Sequence, residues 1–175
     1  RFQVEDLLGI MDYKEGIHYE TQKIMKSGTK PDFTFYLPDD KSINMDSKFP
    51  LTIYMEISKL NRDLEDETLD EIARREITDS IKAKTKEFLD KAIKTKIDDT
   101  ASREGYIAPD EDTVDFVLMY IPLENLYHFL LTSVIGSSKT PVIEYAFSRK
   151  VILVSPQTLM AYLETIRHSM KLFSL

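Results

Sequence analysis

The chain reads as a mixed α/β domain, a sheet flanked by helices, and three observations carry that reading. Phe116–Ile121 and Lys150–Val154 are near-continuous apolar runs of the kind that form strands buried on both faces. Residues 31–37 and 41–48 alternate apolar and polar side chains around Pro38-Asp39-Asp40, which is a hairpin pattern. Helical periodicity fills the stretches between, giving the order helix, three strands, helices, strand, helix, strand, helix. The 175 residues hold no repeat, low-complexity tract or linker, so 1–175 is expected to be a single domain with a real core.

Taken in order, Val4, Leu7, Leu8 and Met11 line one face of a first helix. Gly16 breaks it, His18–Met25 reads as a strand, and Lys26-Ser27-Gly28-Thr29 as a turn. After the hairpin, Pro50 opens a short helix through Leu60. A polar break at 61–66 precedes a long helix from Thr68 to Ile97, with Thr68 and Glu71 at capping-box spacing. A loop is expected over 98–113 and a strand over 116–121. Leu123–Ile135 reads as the next helix, ended by Gly136-Ser137-Ser138; 140–147 is ambiguous. Strand 150–154 and a helix from Gln157 to Lys171 close the chain, and Ser155-Pro156-Gln157-Thr158 reads as the cap and first turn of that helix.

Composition excludes several classes. There is no cysteine, hence no disulfide framework and no thiolate chemistry, which fits a reducing compartment such as the cytoplasm. No uncharged run is long enough to span a bilayer, and the first residues do not resemble a signal peptide. The formal net charge of −7 argues against a non-specific nucleic-acid coat, although it leaves room for a local basic patch.

The hairpin carries the chemistry. Burial requires Phe33, Phe35, Leu37, Ile43 and Met45 on one face, which puts the even-numbered residues on the other. With Pro38-Asp39-Asp40 as a three-residue loop, opposed residues have numbers summing to 78, so Asp32 faces Asp46 with Lys48 two residues along. Opposed Cβ atoms lie about 4.5–5.5 Å apart, and two carboxylates so close repel unless a proton or cation sits between them. A hard divalent cation suits two carboxylates plus water and phosphate, and an adjacent ammonium can orient the attacking water. The set therefore suits metal-assisted phosphodiester hydrolysis. The plain alternative is a solvated hairpin face carrying ordinary surface charges.

Pro31-Asp32 followed by Asp46-Ser47-Lys48 matches the PD-(D/E)XK signature of restriction-endonuclease-like nucleases. Beyond it, GIHYETQ (16–22), KPDFTFYLPDDKSINMDSKFPL (30–51), GYIAPDEDTVDFVLMYIPLEN (105–125) and RKVILVSPQTLMAYLETI (149–166) resemble the RmuC family of DNA recombination proteins across nearly the whole chain. The resemblance implies a restriction-endonuclease-like mixed sheet with a long helix inserted after the catalytic hairpin, DNA as partner, and Mg²⁺ or Mn²⁺ as cofactor. It implies Asp32 and Asp46 as metal ligands, the Ser47 carbonyl as a further ligand, and Lys48 as catalytic lysine. Gln22 matches a family position, with Glu20 an alternative of the same parity. The family's Gly-Glu pair near the start of the first helix is not matched: the chain begins Arg-Phe, so that Glu is either replaced or lies before Arg1, and Glu5 is a candidate substitute. Glu124 also matches, and either caps a helix or touches substrate. Family members carry an upstream membrane anchor or coiled coil, so this chain is expected to be a fragment that does not itself touch membrane. The missing Gly-Glu pair keeps a second reading open, a catalytically silent nuclease fold that binds DNA or protein. A third, a purely structural domain, would require the polar hairpin face to be covered.

Other signals are weaker. Residues 61–79 hold eight acids and three arginines, whereas 80–97 hold six lysines (82, 84, 86, 91, 94, 96). These lysines either grip phosphates or form a solvated face favoured near a helix C-terminus. Lys23, Lys26 and Lys30 flank the hairpin and are better placed for a DNA backbone. His128, on an apolar helix, reads as a packed core residue, and the aromatics fall mostly in strand or helix core patterns, which gives no base-stacking platform in the sequence.

Overall fold

The computed structural model describes residues 2–173. In chain order the described elements are α1 (Phe2–Ile10), β1 (Tyr19–Thr21), β2 (Phe33–Tyr36), β3 (Ser42–Asp46), α2 (Thr52–Asp63), α3 (Glu71–Glu87), a π-helical turn (Phe88–Ile93), α4 (Lys94–Ser102), β4 (Val117–Tyr120), α5 (Glu124–Leu131), β5 (Val134–Ile135), β6 (Thr140–Pro141), α6 (Val142–Ser148), β7 (Val151–Val154) and α7 (Pro156–Phe173). The main sheet is mixed, with strand order β1-β2-β3-β4-β7. The first three strands are antiparallel neighbours, and β4 pairs in parallel with both β3 and β7. An α/β sheet flanked by helices is thus the observed architecture. No helix among the described residues is long and apolar enough to cross a membrane.

Period-two alternation sorts the strands between two cores. Val117, Met119 and Ile121, with Val151 and Leu153, pack on one face against Phe88, Ile93, Ile97, Leu126 and Leu130. Leu118, Tyr120 and Val154, with Phe33, Phe35, Ile43 and Met45, pack on the other against α1 and α7. The hairpin therefore gives its apolar face to the α1/α7 core. Its even-numbered face turns toward α4, and there it is covered: Thr34, Asn44 and Asp46 are 1%, 0% and 3% exposed. The expectation of a solvated hairpin face is overturned. Buried polar groups need partners, and Thr34 Oγ1 donates to Asn44 Oδ1 at 2.6 Å while Asn44 Nδ2 donates to the carbonyls of Gly105 and Tyr106.

Several boundaries differ from the sequence pattern, each for a local reason. β1 ends at Thr21 rather than continuing to Met25, because Gln22 adopts a left-handed φ of 54°. The cap of α3 is Asp70, which accepts from the Ala73 N–H, and not Thr68, whose N–H and hydroxyl are taken by Asp66. The long helix starts there and, through the π turn, runs on to Ser102. α5 stops at Leu131, and β-branched Val134 and Ile135 instead pair with Thr140–Pro141 across a turn at Gly136. The ambiguous segment at 140–147 resolves into β6 and α6. His128 is exposed, not packed, because α5 buries Leu126 and Leu130 and leaves position 128 on the opposite side.

Candidate functional site

The observed β2–β3 register pairs Phe33 with Met45, Thr34 with Asn44, Phe35 with Ile43 and Tyr36 with Ser42, the alignment read from the apolar pattern. One step further along, just outside the paired residues, Asp32 and Asp46 come opposite one another. Both are buried, at 9% and 3% exposure. Asp32 is held by three donors: the Ser47 N–H at 2.9 Å, the Ser47 hydroxyl at 3.1 Å and Gln22 Nε2 at 3.2 Å. Burial alone would raise its pKa, but the Ser47 donors, the charge of Lys48 and the Gln22 amide outweigh it and hold the carboxyl below its ordinary value. Gln22 reaches Asp32 because its left-handed backbone turns the chain out of β1.

Asp46 also has three donors. The Lys48 N–H reaches Oδ1 at 3.2 Å, while Lys96 Nζ at 2.7 Å and Thr100 Oγ1 at 3.1 Å reach Oδ2. The ion pair is well shielded, with the Lys96 side chain 17% and the Asp46 side chain 4% exposed. Tyr106, itself buried, feels the charge of both acids: its hydroxyl takes a hydrogen bond from Arg103 at 3.3 Å, and burial together with the charges of Asp46 and Asp32 raises its pKa against the opposing pull of Arg103.

A cleft of about 550 Å³ opens over Asp32, Ser47, Lys48 and Gln22, walled by Phe33, Phe49, Leu51, Pro122 and Leu123. A second, shallower groove of about 540 Å³ shares Lys48 and Phe49 with it and runs along α4 past Lys91 and Lys96. The structure thus brings together Asp32, Asp46, Ser47, Lys48 and Gln22. To these it adds Thr100, Arg103 and Tyr106, which the sequence reading did not single out, and Lys96, which it read only as one of six lysines on a phosphate-gripping or solvated face. The available signal was spacing, since 96, 100 and 103 follow the i, i+4, i+7 stripe of one helix face.

The chain matches the RmuC family over residues 1–175. It belongs to the RmuC family. The DNA recombination protein RmuC homolog of Pasteurella multocida is 32% identical over 169 residues, covering 94% of this chain and 29% of that protein. The homolog of Haemophilus influenzae is 30% identical over 168 residues, covering 94% and 33%. DNA recombination protein RmuC of Escherichia coli K12 is 28% identical over 157 residues, covering 87% and 29%. The chain therefore spans about a third of the length of these relatives. No solved structure matches it.

Other residues carried over from the RmuC resemblance do not join the cleft. Glu20 sits opposite Thr34 and accepts from the Tyr36 phenol; burial and that carboxylate push the Tyr36 pKa up to about 12. Glu5 is exposed on α1 near Tyr19. Arg1, where the family motif departs, lies outside the described residues. Glu124 accepts from the Gln157 N–H at 2.8 Å and so caps α7, the next helix, instead of its own. Ser155 and Thr158 cap the same helix reciprocally. Lys23 lies over the Tyr36 ring, Lys26 pairs with Asp110, and Lys30 is exposed. Of the six lysines in 80–97, Lys84 pairs with Glu56, Lys94 with Asp98 and Lys96 with Asp46, so the helix is neither wholly solvated nor a continuous cationic strip.

Among the described residues no group of three or more His, Asp or Glu is placed to hold a metal ion. The donor count still leaves room for one. A carboxylate offers about four lone-pair positions, and each of Asp32 and Asp46 spends three. Two hard oxygen donors plus the Ser47 carbonyl, completed by water and phosphate, fit Mg²⁺ or Mn²⁺.

Proposed function

We propose that this chain is the nuclease-like portion of a DNA recombination protein, with a PD-(D/E)XK site that hydrolyses DNA phosphodiesters with Mg²⁺ or Mn²⁺. The observation that carries the reading is the hairpin register: its last pair, Phe33 with Met45, leaves Asp32 and Asp46 as the next residues on the two strands, beside a cleft lined by Asp32 and Lys48. The DNA recombination role named for the relatives supports DNA as substrate. Asp32, Asp46 and the Ser47 carbonyl would hold the cation, which when bound polarises a phosphoryl oxygen and acidifies a water. Ser47 and Gln22 keep Asp32 ionised and fix its orientation. The Lys48 ammonium, close enough to Asp32 to stabilise its charge, orients the attacking water or offsets charge at phosphorus. Lys96 holds Asp46 Oδ2 and would have to release it for Asp46 to ligate a cation through that oxygen.

Calorimetric titration of Mn²⁺ into the wild-type chain, Asp32→Asn and Asp46→Asn tests this. Wild type should bind and both variants should lose binding while keeping their circular dichroism. Unchanged affinity in folded Asp46→Asn refutes the site. Two observations weigh against turnover: the Lys96 ammonium already neutralises Asp46, which favours the second reading, a silent fold that binds DNA or protein, and the polar face is covered, which is the condition set for the third, a purely structural domain. Wild type that takes up no Mn²⁺, with or without a DNA oligonucleotide, supports that reading.

A further inference from the structure

The groove beside the cleft carries an inference that deepens the proposed function and rests on it for the identity of the polymer. We propose that it seats an unpaired nucleotide next to the scissile phosphate, so that the substrate is single-stranded DNA. Its floor is apolar, formed by Phe49, Pro50 and Ile53. Lys48 lies at the junction with the cleft, and Lys91 on the rim is exposed with no partner among the described residues. Lys96 is set deeper, on Asp46.

Two physical points select a single strand, and a third sets the path of its backbone. First, Phe49 is half-buried and lines both the cleft and the groove, so a ring and its apolar surroundings border the path a strand would take. Only an unpaired base exposes a face to such a surface, because a duplex keeps its base faces stacked inside. Secondly, free cations here are few and the formal net charge is −7. Duplex affinity depends on neutralising many phosphates, and two lysines give little of it, whereas stacking adds a contribution that needs no further charge. Thirdly, Asp99 also lines the groove, roughly 12 Å along the helix from Lys91 at 1.5 Å per residue. It disfavours phosphate at its own end and directs the backbone to the Lys48–Lys91 side.

Fluorescence anisotropy with a labelled 15-nucleotide strand and the duplex of the same sequence, both in EDTA, tests the groove without metal or turnover. The single strand should bind wild type at least tenfold tighter than the duplex. Phe49→Leu, which keeps apolar volume but removes the ring face, should lower single-strand affinity about tenfold and leave duplex affinity unchanged. Lys91→Ala should weaken binding and flatten its dependence on log salt by about 0.7. Circular dichroism checks that both variants fold. Equal affinity for strand and duplex, absence of binding, or folded variants indistinguishable from wild type overturns the proposal. This failure is separable from that of the nuclease reading. Mn²⁺ binding at Asp46 without single-strand preference sinks only the groove; strand preference in EDTA without Mn²⁺ binding sinks only the metal site.

Discussion

Replacing Lys96 with methionine removes the ammonium from a carboxylate whose side chain is only 4% exposed. Asp46 Oδ2 then keeps Thr100 alone as donor, at 3.1 Å. Breaking one side of a buried pair costs about 3–5 kcal/mol, because a charge is left without compensation. Lys96 is 17% exposed and borders an open groove, so water can reach the vacated side, and the lower end, about 3 kcal/mol, is expected. For a domain of this size that corresponds to a fall in Tm of about 6–12 °C. Asp46→Asn should cost a comparable amount by stranding Lys96. The double variant should lose less than the sum of the two, with a coupling of about 2–3 kcal/mol. Urea unfolding of the four proteins at pH 7 measures it.

The same variant probes the site. Methionine frees Asp46 for a divalent cation, so Mn²⁺ should restore stability to Lys96→Met by up to about 2.7 kcal/mol at a concentration 100 times Kd, and by less to wild type, where the ammonium competes. A coupling under about 0.5 kcal/mol would refute the reasoning on the ion pair. Mn²⁺ that stabilises neither protein would refute the link between that pair and a cation.

Three more outcomes follow from single contacts. Asp32 has a depressed folded pKa, so its contribution is present above the unfolded value and is lost as pH falls below about 4; Asp32→Asn should flatten the fall in urea midpoint between pH 5 and 3, and an unchanged slope would mean that Ser47 and Gln22 do not stabilise the ionised form. Gly105 has φ +88°, and an added Cβ would meet Thr29 Oγ1 at 2.5 Å and Ser27 Oγ at 2.6 Å. Gly105→Ala should therefore cost about 2–5 kcal/mol in calorimetric unfolding through backbone strain and crowding. The Tyr120 hydroxyl is buried without a partner among the described residues, and burial, with the charge of Glu124, pushes its pKa up to about 12; Tyr120→Phe should raise stability by about 1 kcal/mol, and a lower Tm would show that the hydroxyl is satisfied.

The parts of the site legible in sequence are those set by local periodicity. The parity of Phe33, Phe35, Ile43 and Met45 fixes the hairpin register, and with it the approach of Asp32 to Asp46. Parity left Glu20 and Gln22 equivalent; only the left-handed turn at Gln22 separates them, and a glutamine gives no sequence signal for φ near 54°. Lys96 and Thr100 lie 50 and 54 residues from the acid they hold. Their role depends on how the long helix returns over the sheet, which no short window contains. The cap at Asp70 shows a smaller version of the problem, where Thr68 and Asp70, two residues apart, both offered a cap and Asp66 captured Thr68.

The helix inserted after the hairpin accounts for both the burial and the charge balance of the site. A bare hairpin would leave Asn44 and Asp46 in water, where solvent and salt screen the repulsion between opposed carboxylates. Once Ile93 and Ile97 dock on the sheet, the polar face is enclosed and every group on it needs a partner. Lys96 and Thr100, on the stretch that carries Ile93 and Ile97, meet that need for Asp46, and the Gly105 and Tyr106 carbonyls meet it for Asn44. The acid is therefore neutralised by the element that covers it. Any cation that takes Asp46 Oδ2 competes with the helix for the same lone pairs, so cation occupancy and the seating of α4 are linked, and by reciprocity a change that loosens α4 raises the affinity of Asp46 for the cation.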